Sequence, residues 1–427
     1  MSWKKVKLGE ICIIEKGATG IQKALPGKYP LVVTSEERKS HNEFQFDDEA
    51  VIIPLVSGTG HGHASIKRIH FQKGKFALGS ILCAVIPKDK SQVCAEYLYR
   101  YLDLNKEDEL VARMKGMANV TLPIKEIALI EIPLPRLKEQ MEFVEKYKKL
   151  EIKSALLGVE LSSELLLVKK LRQQLLQDAV QGKLVNQNPN DEPACELLKK
   201  IKTEKKQLLI EKKFQQEKEL TEIKKEDIPF QIPSNWVWCK LGEITKIVRG
   251  GSPRPAGDKR FYEGHIPFLK VGDLTGYEDK YCRNHTYTIK ETGLSKTRYV
   301  EANTLMLTNS GATLGIPRIC AFPTTFNDGI AAFLNLTNID MDYLYYFLKS
   351  KSNWFLKQAS RGQGQPNLNT DIIAETIFAI PPLSEQHRIV QKLEQLMQTC
   401  NVLEESMRQS ISQNEKLLQQ VLREALQ

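Results

Sequence analysis

Several kinds of protein are excluded by what these 427 residues lack. No run of about 18 apolar residues occurs, so no membrane-spanning helix is expected. The opening "MSWKKVKLGE" has no apolar core of the kind a secretory signal needs, and the expected location is the cytoplasm. The cysteines (Cys12, Cys83, Cys94, Cys195, Cys239, Cys282, Cys320 and Cys400) form no C-x-x-C pair and no metal-ligand spacing, which points to buried free thiols in a reducing compartment. Gly27-Lys28, Gly74-Lys75 and Gly182-Lys183 are followed by Tyr, Phe and Leu, so none closes a phosphate-binding loop. Also missing are G-x-G-x-x-G after a strand, H-E-x-x-H, a Ser/His/Asp arrangement, and the Asn-Pro-Pro-aromatic sequence of adenine methyltransferases. Asn188-Pro189-Asn190 reads as a turn. A lone Glu278-Asp279-Lys280 triplet is of the kind a nuclease centre uses, but such triplets arise by chance in a chain with 52 acidic and 61 basic residues. The expectation is a chain that binds without chemistry of its own and holds no metal or cofactor.

With 41% hydrophobic residues the chain can bury two or three cores, and a net charge of +9 favours a polyanionic partner. An internal repeat then divides it. "WKKVKLGEICIIEKG" from Trp3 returns as "WVWCKLGEITKIVRGG" from Trp236, 233 positions on, with Leu8, Gly9, Glu10, Ile11 and Gly17 matching Leu241, Gly242, Glu243, Ile244 and Gly250. "PRLKEQMEFVEKYKKLE" from Pro135 returns as "PPLSEQHRIVQKLEQLM" from Pro381, now 246 positions on, and "KLRQQLLQDAVQ" from Lys170 as "KLLQQVLREALQ" from Lys416. The second intervening domain is therefore 13 residues longer than the first.

The closing segment of each half carries a four-three apolar spacing. In the first copy it runs through Phe143, Tyr147, Leu150, Ser154, Leu157, Leu161, Glu164, Val168, Leu171 and Leu175. In the second it runs through Ile389, Leu393, Leu396, Cys400, Leu403, Met407, Ser410, Asn414, Leu417 and Val421. A helix over 137–181 spans roughly 65 Å at ~1.5 Å per residue. The two are either bundle helices or, because each stripe alone would leave an apolar seam in water, a coiled-coil pair; pairing is the expectation. Between the halves, "QGKLVNQNPNDEPACELL" ends the first helix in a turn, and the mixed charges of "KKIKTEKKQLLIEKKFQQEKELTEIKKED" suit a solvated helix.

Short β-branched and aromatic runs such as "AVIIPLVSG", "SILCAVIP", "IPFLKVGDL" and "TLMLTNSG", with helical patterns at "AEYLYRYLDL" and "MDYLYYFLKS", make both intervening domains mixed α/β. The second domain presents basic, glycine-rich stretches in "VRGGSPRPAGDKRFY", "YCRNHTYT" and "SRGQGQPNLN", which can approach a DNA backbone and reach base edges. The first presents "SGTGHGHASIKRIHF"; its three histidines lack a supporting acidic or cysteine ligand, so polar contact with phosphate is expected over metal binding.

The order and duplication of "IPSNWVWCKLGEI", "IPFLKVGDL", "SGATLGIPRICAF", "QGQPNLNTDII", "IPPLSEQHRIVQKLEQL" and "LLQDAVQGKLV" resemble the specificity subunit (HsdS) of type I restriction-modification systems. That resemblance implies an α+β chain of two mixed α/β target-recognition domains joined by two long helices forming an antiparallel coiled coil, with pseudo-two-fold internal repetition. The implied division is 1–136 and 232–382 for the recognition domains, 137–181 and 383–427 for the helices, and 182–231 for a turn and charged helical linker. It further implies double-stranded DNA with a bipartite target as ligand and two methyltransferase (HsdM) subunits as partners. ATP-driven restriction (HsdR) subunits can join. S-adenosylmethionine, ATP and Mg belong to those partners, and the chain itself is non-catalytic. A non-catalytic coiled-coil adaptor that binds proteins is the other reading. Expected DNA contacts are His61, His63, Lys67, Arg68 and Lys115 in the first domain. In the second they are Arg249, Arg254, Lys259, Arg260, Arg283, Asn284, Arg361 and Gln363. "GMANVTL" departs from "GQGQPNL", so the loops before Leu122 and Leu368 are not expected to share a role.

Overall fold

The computed structural model describes residues 3–22, 24–58, 63–117, 119–211, 219–359 and 367–424. It divides into two compact units, Met1–Glu164 with Ser406–Gln427 and Leu165–Glu405. No helix among the described residues is long and apolar enough to cross a membrane.

The first unit runs β1 (Lys5–Lys7), α1 (Leu8–Ile11), β2 (Cys12–Lys16), β3 (Tyr29–Val32), β4 (Lys39–His41), β5 (Phe46–Asp47), β6 (Ala50–Pro54), β7 (His70–Gln72), β8 (Lys75–Leu78) and β9 (Leu82–Pro87). It continues with α2 (Ala95–Leu104), α3 (Lys106–Glu109), α4 (Ile124–Ala128), β10 (Glu131–Pro133) and α5 (Leu137–Val180), whose final turns belong to the second unit. Two four-stranded sheets, β2-β9-β6-β7 and β4-β3-β8-β5, form the body. β1 and β10 pair as an antiparallel stem, Lys5 opposite Pro133. All of β6 and β9 is buried, as expected of apolar strands covered on both faces.

The second unit opens with α6 (Ala194–Glu211), β11 (Val237–Lys240), α7 (Leu241–Ile244), β12 (Lys246–Arg249), β13 (Tyr262–Leu269), α8 (Val271–Thr275), β14 (Tyr281–Cys282), β15 (Tyr287–Ile289) and α9 (Glu291–Leu294). Then come β16 (Arg298–Val300), β17 (Thr304–Thr308), β18 (Pro317–Cys320), β19 (Thr324–Phe326), β20 (Ile330–Leu334), α10 (Met341–Ala359), α11 (Thr370–Ala374), β21 (Ile377–Ile380) and α12 (Leu383–Glu424), whose last turns return to the first unit. The topology repeats. β12-β20-β17-β18-β14 answers the first sheet, β15-β13-β19-β16 the second, and β11 pairs with β21 as the stem. β14, which pairs parallel with β18, is the added edge strand, and it lies in the longer of the two domains.

Each long helix is tied to its domain by one buried glutamine. Gln140 Oε1 accepts the Cys94 N–H at 2.8 Å, while its Nε2 donates to the carbonyls of Gln92 (2.9 Å) and Pro135 (2.8 Å). Gln386, 246 positions on, accepts from the Asp340 N–H at 2.9 Å and donates to the Pro381 carbonyl at 3.0 Å. Both side chains are fully buried, and their bonds fill backbone valences that the turn and helix ends leave open.

Within the first unit, Asn414 Nδ2 donates to the Ser154 carbonyl at 2.9 Å, and Leu418 and Leu422 pack into the cluster holding Phe143, Tyr147 and Leu150. Contacts that rise along one helix and fall along the other make the pairing antiparallel. The expected stripes are covered at most positions and depart from expectation at four leucines and Glu164. Phe143, Tyr147, Leu175, Ile389 and Leu393 are buried, and Leu150, Leu161, Leu396, Met407 and Val421 half-buried, but Leu157, Leu171, Leu403 and Leu417 are exposed, at 43%, 45%, 42% and 60%. The covered position lies one residue further on, at Gly158 and Arg172 in α5 and at Met397, Glu404, Ile411 and Leu418 in α12. The reason is polar: in the second unit Arg172 meets Glu404 at 3.1 Å, and a half-buried ion pair fixes register where leucines on either neighbour could pack.

The segment expected as a solvated helix is covered along one face. Ile201 and Lys205 within it are buried, continuing from the buried Leu197 and Leu198 before it, and Lys205 donates to the Gly242 and Thr245 carbonyls at the end of α7. Six cysteines are buried, and burial pushes the Cys83 thiol up to about 12. Cys195, by contrast, is exposed and Cys94 half-buried.

Gln386→Leu leaves the Asp340 N–H without its acceptor and should cost about 1–3 kcal/mol in chemical unfolding, with Gln140→Leu costing a like amount. His70, at 6% exposure, has its imidazole pushed down to about 4 by burial and by the neighbouring Arg38. Between about pH 6.5 and about 4 the unfolded chain therefore binds a proton that the folded one does not, so stability falls as pH drops through that window. His70→Gln should remove that component, read as a smaller difference between unfolding curves at pH 7 and pH 5.

Candidate nucleic-acid interface

Gly250 and Gly17 stand at one position of the repeat for a steric reason. A Cβ on Gly250 would lie 2.3 Å from the Asn327 carbonyl oxygen, and one on Gly17 2.2 Å from that of Gly79. The chain leaving the first strand of each sheet must run against a neighbouring turn, and only glycine permits it.

In the second domain this close approach gathers charge around Asp328. The Arg249 Nε donates to the Asp328 carbonyl at 2.5 Å, Ser252 Oγ to its carboxylate at 2.7 Å, and Arg254 lies 3.8 Å from the same carboxylate. Arg298 Nε donates to the Arg249 carbonyl at 2.7 Å. Three guanidiniums thus gather at one turn, where the Asp328 carboxylate meets only Arg254 of the three and the other two are held by backbone carbonyls, leaving a positive surplus on a loop where the Arg254 side chain is 72% exposed. The same turn holds the next loop: the Asn309 N–H donates to the Gly329 carbonyl, the Leu368 N–H to the Asn309 carbonyl, and Ser310 bridges to Asn367. "VRGGSPR", "FNDG", "TNSG" and "NLN" therefore meet at one end of the domain.

The remaining expected contacts lie elsewhere. Arg260 is neutralised by Asp258 at 2.6 Å, and the Lys259 carbonyl accepts from Lys290. Arg283 sits 3.4 Å from Asp279 and over the Tyr281 ring, and the Asn284 carbonyl accepts from the Cys282 thiol. These last two follow β14, at the sheet edge opposite β12, so the structure does not bring them to Arg249 and Arg254. Arg361 and Gln363 lie outside the described residues.

In the first domain His61 lies outside the described residues. His63 is exposed and its carbonyl accepts from Ser57 Oγ at 2.5 Å. Lys67 is exposed and its carbonyl accepts from Lys106, while Arg68 pairs with Glu36 at 2.8 Å. Lys115 bridges through its backbone to Thr121, and its ammonium meets Glu126 at 2.6 Å. Arg38, beside His70 and Gln72, escaped the sequence reading, because its partners stand more than thirty residues away.

Among the described residues no group of three or more His, Cys, Asp or Glu side chains is placed to hold a metal ion. Lys280 of the acidic-x-Lys triplet sits between Asp342 (3.0 Å) and Glu394 (2.7 Å), bracing α10 against α12, while Asp279 accepts from the Tyr281 N–H. This is the bonding of a structural brace.

The type I restriction modification DNA specificity domain matches residues 1–166 and again 233–413. The EcoAI specificity subunit of Escherichia coli is 34% identical over 243 residues, covering 55% of this chain and 41% of that protein. The EcoDI specificity subunit of Escherichia coli is 25% identical over 437 residues, covering 100% of this chain and 88% of its own. The match spans less than half the length of EcoAI and, at 44%, of the EcoEI specificity subunit. Among solved structures, the HsdS subunit from Thermoanaerobacter tengcongensis shares the fold, with a TM-score of 0.59 at 17% identity over 100% of this chain and 96% of that one. A second chain, from a study of complex assembly and conformational transition of the type I R-M system, also has a TM-score of 0.59 at 17% identity, covering 100% of this chain and 98% of its own. Two matched segments covering most of the sequence, on a fold that repeats itself, place this chain in the type I restriction modification DNA specificity family.

Proposed function

We propose that the chain is the DNA-recognition subunit of a type I restriction-modification complex and has no catalytic activity of its own. Residues 1–136 and 232–382 each read one half of a bipartite double-stranded target. The helices 137–181 and 383–427 set the spacing of the half-sites and dock two methyltransferase subunits, and restriction subunits join the same complex. S-adenosylmethionine, ATP and Mg are used by those partners, in the cytoplasm. One observation carries this reading: a single chain holds the same stem, the same pair of sheets and the same glutamine anchor twice, as a reader of two half-sites requires. The family to which the chain belongs and its basic end loops agree with it.

In the second domain Arg249 and Arg254 are the DNA contacts that the geometry favours, with Lys259, Arg260, Arg283 and Asn284 in outer roles. In the first, His63, Lys67 and Arg68 before β7 and Lys115 before α4 are the contacts proposed. Arg254→Gln should weaken duplex binding by about 1–3 kcal/mol if it reads a base. If it holds a phosphate, the variant should instead weaken binding equally across sequences and lower the salt slope by about one. Fluorescence anisotropy from 50 to 200 mM salt separates the two outcomes.

The deciding experiment is single-molecule mapping of N6-methyladenine in the host genome with and without this gene. Loss of one gapped motif, methylated on both strands, is the expected result. An unchanged pattern, with the methyltransferase partner expressed, would replace this reading with that of a protein-binding adaptor.

A further inference from the structure

The first unit holds an arginine set apart from its neighbours by how its charge is met. Of the five arginines in residues 1–136, Arg68 pairs with Glu36, Arg100 with Glu96 and Glu151, Arg113 with Glu109, and Arg136 with Glu139. Arg38 has no carboxylate partner among the described residues. Neutral acceptors hold it instead. Its Nε donates to Gln72 Oε1 at 3.2 Å, and one terminal nitrogen reaches the Glu36 carbonyl at 3.1 Å and His70 Nδ1 at 3.2 Å. The other terminal nitrogen makes no hydrogen bond to the described residues.

This is a half-buried cation surrounded by dipoles, and burial accordingly holds its pKa below the ordinary arginine value. Partial desolvation without a counter-charge is costly, and an anion arriving at the open nitrogen would relieve it. Two acceptors on β7 and one on the loop before β4 fix the plane of the guanidinium, so its orientation is set before any ligand binds. A base edge is neutral and would leave the charge unmet; a phosphodiester carries the missing negative charge and matches a planar donor pair. The other unit offers a contrast. By register, the β18 position equivalent to His70 is Arg318, opposite Met306 as His70 is opposite Ile52. Arg318 is 5% exposed, bonded to the Pro317 and Tyr277 carbonyls and covered by the Tyr277 ring, so no open seat exists there.

We propose that Arg38, held in place by Gln72 and His70, is a seat for a DNA backbone phosphate in the first recognition domain. The proposal rests on the DNA-reading function above. The test uses the full chain with its methyltransferase partner, on a duplex carrying the mapped bipartite motif and on a random duplex, with affinity followed from 50 to 200 mM salt. Two variants attack the seat from different sides. Arg38→Gln removes the cation, and the near-isosteric Gln72→Glu supplies an internal counter-charge at the loss of one hydrogen bond, from Gln72 Nε2 to the Lys73 carbonyl at 3.2 Å. Both should weaken the two duplexes alike, by about tenfold, and lower the salt slope by about 0.9, the value for one phosphate. Gln72→Glu should at the same time raise the melting temperature, which separates loss of the seat from loss of the fold. Unchanged affinity and slope in Gln72→Glu, with wild type binding normally, would overturn the phosphate seat and leave the DNA-reading function standing. A loss confined to the specific duplex, with a changed base in the methylated motif, would overturn it in favour of base reading. Failure of the wild-type complex to bind either duplex would remove the functional reading and this proposal together.

Discussion

The geometry of each half depends on a carboxamide at the first turn of a long helix. Gln140 and Gln386 are fully buried, and each joins the helix start to the preceding proline turn and to the N-terminus of the domain's own helix, α2 or α10. An amide suits the place because it offers acceptor and donor together and carries no charge to desolvate. Around it the apolar surfaces close. In the first unit Tyr97 meets Phe143 edge-on and Phe143 meets Tyr147, while the Tyr97 hydroxyl donates to the Pro133 carbonyl at the end of the stem. The second unit repeats the device with Tyr343 against Trp236 and Phe378, its hydroxyl donating to the Ala379 carbonyl. Stem, domain helix and long helix are thus locked as one piece in each half.

The two halves solve the next problem differently. In the first, Glu96 of α2 is met by Lys148 of α5 at 2.7 Å. In the second, the corresponding acids Asp342 and Glu394 would repel one another across α10 and α12, and Lys280, brought in by the added strand β14, stands between them. The Lys280 side chain is 16% exposed, so the brace is partly withdrawn from solvent and less screened than a surface pair. The extra length of the second domain therefore has a role in the scaffold as well as in the loops.

Much of this was legible in the sequence because it is local or repeated. The copies of "KLGEI" and "EQ" fixed the two halves and the starts of both long helices, and apolar runs such as "AVIIP" and "LCAVIP" became fully buried strands. The seam was legible at most of its positions, and Leu157, Glu164, Leu171, Leu403 and Leu417 are the exposed exceptions. Leu403 and Leu417 are more apolar than Glu404 and no less so than Leu418, so hydropathy favours the wrong neighbour; the Arg172–Glu404 pair that decides the register joins residues 232 apart. Arg38 was hidden for the same reason. "SEERKSH" reads as a solvated charged turn, and nothing local shows that Gln72 and His70 will orient one of its charges. Arg249 and Arg254 were readable as basic residues, but the turn at Asp328 that organises them was not.

The stems have a consequence for how such a chain can change over time. Lys5 lies opposite Pro133 and Val237 opposite Ile380, so entry to and exit from each domain are hydrogen-bonded neighbours. Whatever is inserted or replaced between them, the ends return to the same place, and loop closure grows only slowly more costly with length. The second half already accommodates 13 additional residues and a further strand on an unchanged stem. What lies between the paired strands can therefore change in length and surface while the helices that follow keep their footing.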